Sequence, residues 1–431
     1  MQFSEQKQRI LDLSYQHVCP HKVSTWQQQG IPLVVGRREG YYLWDLDGHR
    51  LIDLHLNGGT YNLGHRNPEL LETMVEATQS LDIGNHHFPS VARAELAQQL
   101  AEQTPGDLTY SVFASGGSEA NDIAIKTVRR ATGRKNIVGL EAGYHGRTGL
   151  SGAAGEDASA RFFLCDRPEE FIKVPFNDLE AMEMALSAGD VAAVILETIP
   201  ATYGFPIPEE EYLPGVKSLC LQYGALFIAD EVQTGLGRTG KLWGIEKFGV
   251  EPDILVTGKG FSGGVYPIAA TVLTDRVAGW LKEYGWGHPS TFGGAEIGCR
   301  VAQKVLEICC RDGVMASVNA MSSYFGERLR EIKGRQPYLT EIRQCGLVMG
   351  LRFDHPTGAV YMQKELYAKG IWAIACGFDQ SVLQFKPGLL VDQGLGDDIL
   401  ERFEDALRVA KDQDYTVASR HKAAQPQATR G

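Results

Sequence analysis

Lys259 stands between two glycines in Thr257-Gly258-Lys259-Gly260, directly after an apolar run and before Phe261-Ser262-Gly263-Gly264. A lysine with that much room can condense with an aldehyde, and partial desolvation moves its amine toward the nucleophilic form. A solvated loop lysine would have the same local sequence. A second feature is Ile228-Ala229-Asp230-Glu231-Val232-Gln233, an acidic pair where an apolar strand emerges. A carboxylate at the end of a buried strand needs a cationic partner. The protonated nitrogen of a pyridinium ring supplies one and makes that ring an electron sink; a helix cap or a structural ion pair would also use Asp230. The third feature is Ala114-Ser115-Gly116-Gly117-Ser118-Glu119, a glycine-rich turn leading from a strand into a helical pattern. Free N–H groups and the positive end of a helix dipole converge there, as a phosphate requires. A tight strand-to-helix turn with no ligand is the alternative.

Two patterns point elsewhere and fail on context. Gly235-Leu236-Gly237-Arg238-Thr239-Gly240 has the GxGxxG spacing of dinucleotide-binding folds. That motif must open a helix after the first strand of a βαβ unit, whereas Gly240 runs into Lys241-Leu242-Trp243-Gly244, which has no helical period. Gly258-Lys259 is no phosphate-binding P-loop either, since Gly260 follows where Ser or Thr is needed and no glycine stands at position 253.

The elements that must position these residues read as α/β. From about Leu51 to Ile297 short apolar strands alternate with helical patterns, the signature of a mainly parallel sheet. Strands are expected at Tyr110–Ala114, Ile137–Leu140, Val191–Leu196, Ala225–Ala229, Ile254–Val256 and Ile268–Leu273. Ala120, Ile123, Ala124, Thr127, Val128 and Ala131 predict an amphipathic helix over Glu119–Ala131. Beyond Gly298 a long helical stretch through Arg330, then strands near 347–353, 371–375 and 382–385 and a helix over 397–411, suit a smaller α+β domain. The expected organisation is residues 1–50 belonging with the small domain, 51–297 as the large domain, 298–411 as the small domain, and a disordered tail over 412–431.

Among 431 residues, 43% are apolar and 22% charged, ordinary for a globular enzyme. A net charge of −11 disfavours nucleic-acid binding, which needs clustered Lys and Arg. Eight cysteines without CxxC pairs indicate neither a disulfide framework nor a zinc site, so no metal is expected. The polar amino terminus has no signal-peptide run and no stretch suits a membrane span, so a cytoplasmic protein is expected.

From about Gly36 to Ala410 the order and spacing of these segments resemble the class III aminotransferases, enzymes that use pyridoxal 5'-phosphate (PLP). The resemblance implies fold type I, with a large domain around a mainly parallel seven-stranded sheet and a smaller α+β domain. It implies that Lys259 holds PLP as a Schiff base and shuttles the proton, that Asp230 binds the pyridine nitrogen, and that Gln233 contacts the phenolic oxygen. Gly116, Gly117 and Ser118 match the phosphate turn. Tyr144-His145-Gly146-Arg147 matches the family's aromatic-Gly/His-Gly-Arg segment, which implies that Tyr144 or His145 lies against the ring face. Thr291, in Ser290-Thr291-Phe292-Gly293-Gly294, matches a threonine that reaches the phosphate of the neighbouring subunit, which implies a homodimer with shared sites. The implied reaction is ping-pong transfer of an amino group to a 2-oxo acid or aldehyde; an epimerase, aminomutase or lyase on the same scaffold is the alternative.

The departures fall on the substrate side. Ser115-Gly116-Gly117 replaces the common Asn-Ser-Gly, and Glu197 is followed by Thr198-Ile199-Pro200-Ala201 in place of Pro-Val-Gln-Gly. Where many relatives have Leu-Arg-Phe-x-Pro, with an arginine that grips an α-carboxylate, this chain reads Leu383-Gln384-Phe385-Lys386-Pro387. A neutral amide cannot replace a bidentate guanidinium at similar strength. An amine, amino sugar or ω-amino donor is therefore expected, with Lys386 or Arg147 supplying charge and Thr60 and Tyr61 as further substrate-side candidates.

Overall fold

A strand covered on both faces can be apolar throughout, and the middle of this molecule is built from such strands. The computed structural model describes residues 3–84 and 87–411. Strands β1 (Val35–Glu39), β2 (Tyr42–Asp45) and β3 (Arg50–Asp53) form an antiparallel meander. The large sheet follows with β4 (Leu108–Ala114), β5 (Asn136–Leu140), β6 (Phe171–Val174), β7 (Val191–Glu197), β8 (Leu226–Asp230), β9 (Ile254–Thr257) and β10 (Ala269–Thr274), in the spatial order β4-β10-β9-β8-β7-β5-β6. Strands β6, β5, β7, β8 and β9 are parallel to their neighbours, and β10 alone runs against the rest. Every residue of β7 and β8 is buried, and the helix Gly117–Thr132 closes one face of the sheet with Ala120, Ile123, Ala124, Ile125 and Val128.

That helix begins two residues before the expected Glu119 and ends where Gly133 adopts a left-handed conformation (φ 69°), which glycine tolerates without a Cβ clash. Ala131, counted on its apolar face, lies exposed in the last turn. The strand β6 carries no expectation from sequence; Phe171-Ile172-Lys173-Val174 is too short and too polar at Lys173 to stand out.

Toward the carboxy terminus lie β11 (Leu339–Cys345), β12 (Val348–Phe353), β13 (Ile371–Trp372), β14 (Ile374–Ala375) and β15 (Val382–Phe385). Strands β11, β12, β15 and β14 make an antiparallel sheet, while β13 leaves it to pair in parallel with β3, Ile371 opposite Ile52. The opening meander is thus completed by a carboxy-terminal strand. The long helical stretch is two helices, Glu296–Cys310 and Val314–Arg335, because Arg311 turns extended and Gly313 turns left-handed (φ 84°) between them. Residues 371–375, expected as one strand, divide between two sheets at Ala373. The last helix starts at Gln393, capped by the Asp392 side chain, four residues before the expected start. Among the described residues, no helix is long and apolar enough to cross a membrane. The expectation for 412–431 lies outside the described residues.

The GxGxxG segment has a structural role. Leu236, Gly237 and Gly240 all have positive φ, and the turn they form buries Arg238 completely. Its guanidinium donates to the Pro387 carbonyl at 2.6 Å and to the Leu347 carbonyl, tying the turn after β8 to the end of β15 and the start of β12. Replacing Arg238 by Met keeps the stem volume but strands two buried carbonyls. The expected loss is about 3 kcal/mol, read as a lower urea midpoint with an unchanged slope.

Candidate active site

In an open α/β sheet the carboxyl ends of parallel strands leave a crevice edged by loops. Here β8 ends at Asp230, β7 ends beside it at Glu197 in register with Asp230, and β9 ends two residues before Lys259. Strand β4 leads into the glycine turn, and β5 leads into the loop carrying Tyr144 and His145. A cavity of about 290 Å³ opens there, lined by Gly117, Ser118, Asn121, Tyr144, His145, Gly146, Arg147, Thr148, Glu197, Asp230, Val232, Gln233 and Lys259.

Asp230 is buried, and its carboxylate is solvated by the protein. His145 Nδ1 lies 2.8 Å and Asn121 Nδ2 2.9 Å from Oδ2, while the Val232 N–H donates to Oδ1 at 3.0 Å. Asn121 also donates to the His145 carbonyl at 3.0 Å, so one amide fixes both the acid and its histidine. Among the described residues no Lys or Arg nitrogen lies within 4 Å of this carboxylate. Glu231, the other half of the acidic pair, turns away: it accepts from Thr198, from Thr234 at 2.9 Å and from the Gly244 and Ile245 N–H groups at 2.8 and 2.7 Å. Burial raises the Glu231 pKa against those bonds, and its work is to anchor the turn after β8.

Lys259 begins a short 3₁₀ turn with φ 44°, a strained conformation for a residue with a Cβ. Desolvation lowers the pKa of its amine, opposed by the carboxylates of Asp230 and Glu197. Its Nζ lies 5.9 Å from the centre of the Tyr144 ring. The turn after β3 makes room for it: Leu56, Asn57, Gly58 and Gly59 all have positive φ, held by Asp53 Oδ1 accepting from the His55 and Leu56 N–H groups at 2.9 and 2.8 Å. A Cβ on Gly58 would lie 3.0 Å from Lys259 Cε.

The glycine turn delivers the amino end of the helix Gly117–Thr132 to the cavity, with Gly116 extended as its cap and no side chain capping it. The first N–H groups of a helix lack intrahelical acceptors, and the dipole there favours an anion. Ser118 Oγ accepts from the Arg147 and Thr148 N–H groups, both at 3.1 Å, and so stitches this turn to the loop after β5. Ser115 instead hydrogen-bonds Glu119.

Glu197 accepts from the Tyr144 N–H at 2.9 Å and the Ala201 N–H at 3.1 Å. Burial, aided by the nearby Asp230 charge and opposed by His145, pushes its pKa up to about 7. Arg147 is exposed at the cavity mouth, its guanidinium 5.7 Å from the Tyr144 ring centre. Gln384 does not line the cavity: it is buried, its Oε1 accepting from Lys386 Nζ at 2.7 Å and its amide 3.5 Å from the Ala201 carbonyl. Thr60 bonds the Asn57 carbonyl, Tyr61 stacks on His65 with centroids 4.0 Å apart, and neither lines the cavity. Thr291 is exposed and away from this chain's cavity. Asn121, Gly146, Thr148 and Val232 line it without having been expected. Asn121 had a signal, a polar residue among apolar ones in the helix, but nothing local said which group it would meet.

PLP needs an amine for its aldehyde, an anion for its ring nitrogen and donors for its phosphate. The cavity offers Lys259, a buried carboxylate without a Lys or Arg partner, and a helix amino terminus, so the residues fit it. Tyr144 and Val232 add the aromatic and aliphatic side chains that a planar ring packs against.

These features define a PLP-dependent enzyme of fold type I. The family described as aminotransferase class-III matches residues 23–407, and the chain belongs to it. It is 46% identical over 404 residues to an uncharacterized aminotransferase of Archaeoglobus fulgidus, covering 94% of this chain and 95% of that one. It is 36% identical over 324 residues to the acetylornithine aminotransferase of Methanothermobacter thermautotrophicus, covering 75% and 81%. Among solved structures, the ornithine aminotransferase of Toxoplasma gondii, with PLP partially occupying its active site, superposes with a TM-score of 0.84 at 25% identity, covering 93% of this chain and 94% of that one. The protein is therefore a PLP-dependent transaminase.

The raised pKa of Glu197 has a testable sign. The unfolded carboxyl ionises near 4.5 and the folded one near 7, so this group's contribution to stability is full below 4.5 and is lost as pH rises through 7. The Glu197→Gln variant carries no such charge. Its melting temperature relative to the unsubstituted protein should rise between pH 5 and pH 8; a difference that stays flat would show that Glu197 titrates normally.

Proposed function

We propose that the protein moves an amino group from an amine, amino sugar or ω-amino compound to a 2-oxo acid or aldehyde by two half-reactions at one site. The observation that carries this reading is Gln384. Where many relatives place a guanidinium for an α-carboxylate, this side chain is neutral, buried and engaged by Lys386, so the common grip on an α-amino acid donor is missing. The substrates named for the two functionally named relatives, acetylornithine and ornithine, both have an ω-amino group, which supports the same donor class. Arg147, exposed beside Tyr144, is the cation placed to meet a distal carboxylate of donor or acceptor.

Lys259 would hold PLP by its aldehyde carbon, Asp230 its ring nitrogen, Gln233 its phenolic oxygen, and Gly116, Gly117 and Ser118 its phosphate. Bound there, PLP supplies an electron sink that makes the hydrogen beside the donor amine acidic. Asp230 would pair with the protonated ring nitrogen, and its own bonds to His145 and Asn121 keep the carboxylate oriented. Lys259 Nζ takes and returns the substrate proton, and its lowered pKa leaves more free amine for that task near neutrality. Tyr144, held through its backbone by Glu197, covers the ring and limits water. Thr291 is exposed and does not line this chain's cavity; the family resemblance assigns it to the phosphate of a second subunit, in a homodimer with shared sites.

The experiment is a visible spectrum of the PLP-loaded protein, recorded on adding L-glutamate and then a panel of diamines, ω-amino acids and amino sugars, with products identified. The expected result is loss of the yellow band with one ω-amino or amine class, and one amino product formed per acceptor consumed. Racemisation or elimination without an acceptor would replace this reading by an epimerase or lyase. Lys259→Ala should lower turnover by at least about 1,000-fold while the fold is retained; turnover within about tenfold of the unsubstituted enzyme would remove Lys259 from the proton step.

A further inference from the structure

Lys386 is a buried lysine of unusual company. It follows β15 and is 1% exposed, and its Nζ donates to Gln384 Oε1 at 2.7 Å and to Gln233 Oε1 at 3.1 Å. Both acceptors are neutral, and among the described residues no Asp or Glu oxygen lies within hydrogen-bonding distance of the amine. Its backbone is held on both sides: the Lys386 N–H donates to the Leu54 carbonyl at 3.2 Å, and the next carbonyl, that of Pro387, receives Arg238. The Phe205 ring lies 5.8 Å away. Lys386 does not line the cavity.

It does reach Gln233, which lines the cavity beside Lys259. A carboxamide has one accepting end and one donating end. With Oε1 turned to Lys386, the Nε2 amino group is the end left for the cavity, and it has no hydrogen-bond partner among the described residues. The reverse orientation would take away one of the two acceptors of the Lys386 N–H groups and leave Oε1 in the cavity.

We propose that Lys386 is a positioning residue that locks the Gln233 carboxamide so that its amino end, and not its oxygen, faces the phenolic oxygen of PLP. The inference rests on the reading of Gln233 as that oxygen's contact. Burial, with Arg238 and Lys259 close by, holds the Lys386 amine well below the ordinary lysine range, while Cys376 and Asp53 oppose the shift; His55, likewise kept neutral by burial, faces the same group. The lock survives this, since a neutral amine still has the two N–H groups that the two amide oxygens use. Gln384, neutral where relatives carry arginine, becomes the second acceptor that keeps Lys386 in place.

A donor facing the phenolic oxygen favours the form in which that oxygen bears the unshared negative charge, so the coloured form of the holoenzyme loses its proton at lower pH. The test is the midpoint of that colour change, titrated by visible absorbance in the PLP-loaded protein without substrate. Lys386→Met and Gln233→Leu should each raise the midpoint by about one pH unit, and the double variant by no more than either alone. Gln384→Leu, which loosens Lys386 without removing it, should shift it in the same direction by less, and serves if Lys386→Met does not fold. An unmoved midpoint overturns the inference. So does a Lys386→Met shift that persists in the Gln233→Leu background, because Lys386 would then act directly through its charge. A visible band missing from the unsubstituted PLP-loaded protein would overturn the cofactor reading itself, which separates the two failures.

Discussion

A carboxylate buried at the carboxyl edge of a parallel sheet is the constraint around which this site is arranged. Water cannot solvate Asp230, so the protein must, and three different segments do it: the helix after β4 through Asn121, the loop after β5 through His145, and the Val232 N–H of its own turn. Each bond ties one loop at the crevice to the same pair of oxygens. The register of β7 on β8 then sets Glu197 beside Asp230, where two acids would repel if both were charged. Glu197 answers with a raised pKa and two backbone donors, one of them from Tyr144. Leu56 and Asn57 in the facing turn, and Lys259 itself, hold positive φ around the space the lysine needs.

Behind the cavity lies a second set of buried polar contacts. Arg238 fixes the backbone on either side of the small sheet, Lys386 hangs from that backbone, and Gln384 and Gln233 accept from its amine. The N–H donors of Arg238 and Lys386 are therefore used to orient amides and carbonyls inside the protein. The remaining cation at the cavity mouth is Arg147, whose position suits a carboxylate farther from the reacting amine.

Much of the fold was legible because it depends on pattern. The strands β5, β7, β8, β9 and β10 are largely buried apolar runs followed by or ending at charged or polar residues, β4 is a mixed half-buried strand leading into the glycine turn, and the helix after that turn has a clear 3.6-residue period. The rest was not, for local reasons. Strand β6 is four residues long and takes its place from pairing with β5; the break at Gly313 depends on one left-handed residue inside an otherwise helical stretch; and Ala373 divides a short apolar run between two sheets. Strand β13 joins β3 from the far end of the chain, a pairing that neither segment announces.

Taken alone, the sequence named the candidates: Lys259, Asp230 and the glycine turn stand out because a reactive amine, a counter-charge and a phosphate cradle each need particular residue types next to particular elements. Tertiary structure decided what those residues touch. Only the packed molecule separates Asp230, which faces the cavity, from Glu231, which does not, and only it turns Gln384 inward to Lys386 and puts Asn121 on the Asp230 carboxylate. Residue type follows from the demands of local chemistry. Contact between residues far apart in the chain follows from how strands stack and which buried polar groups must find each other, and no short stretch of sequence contains that information.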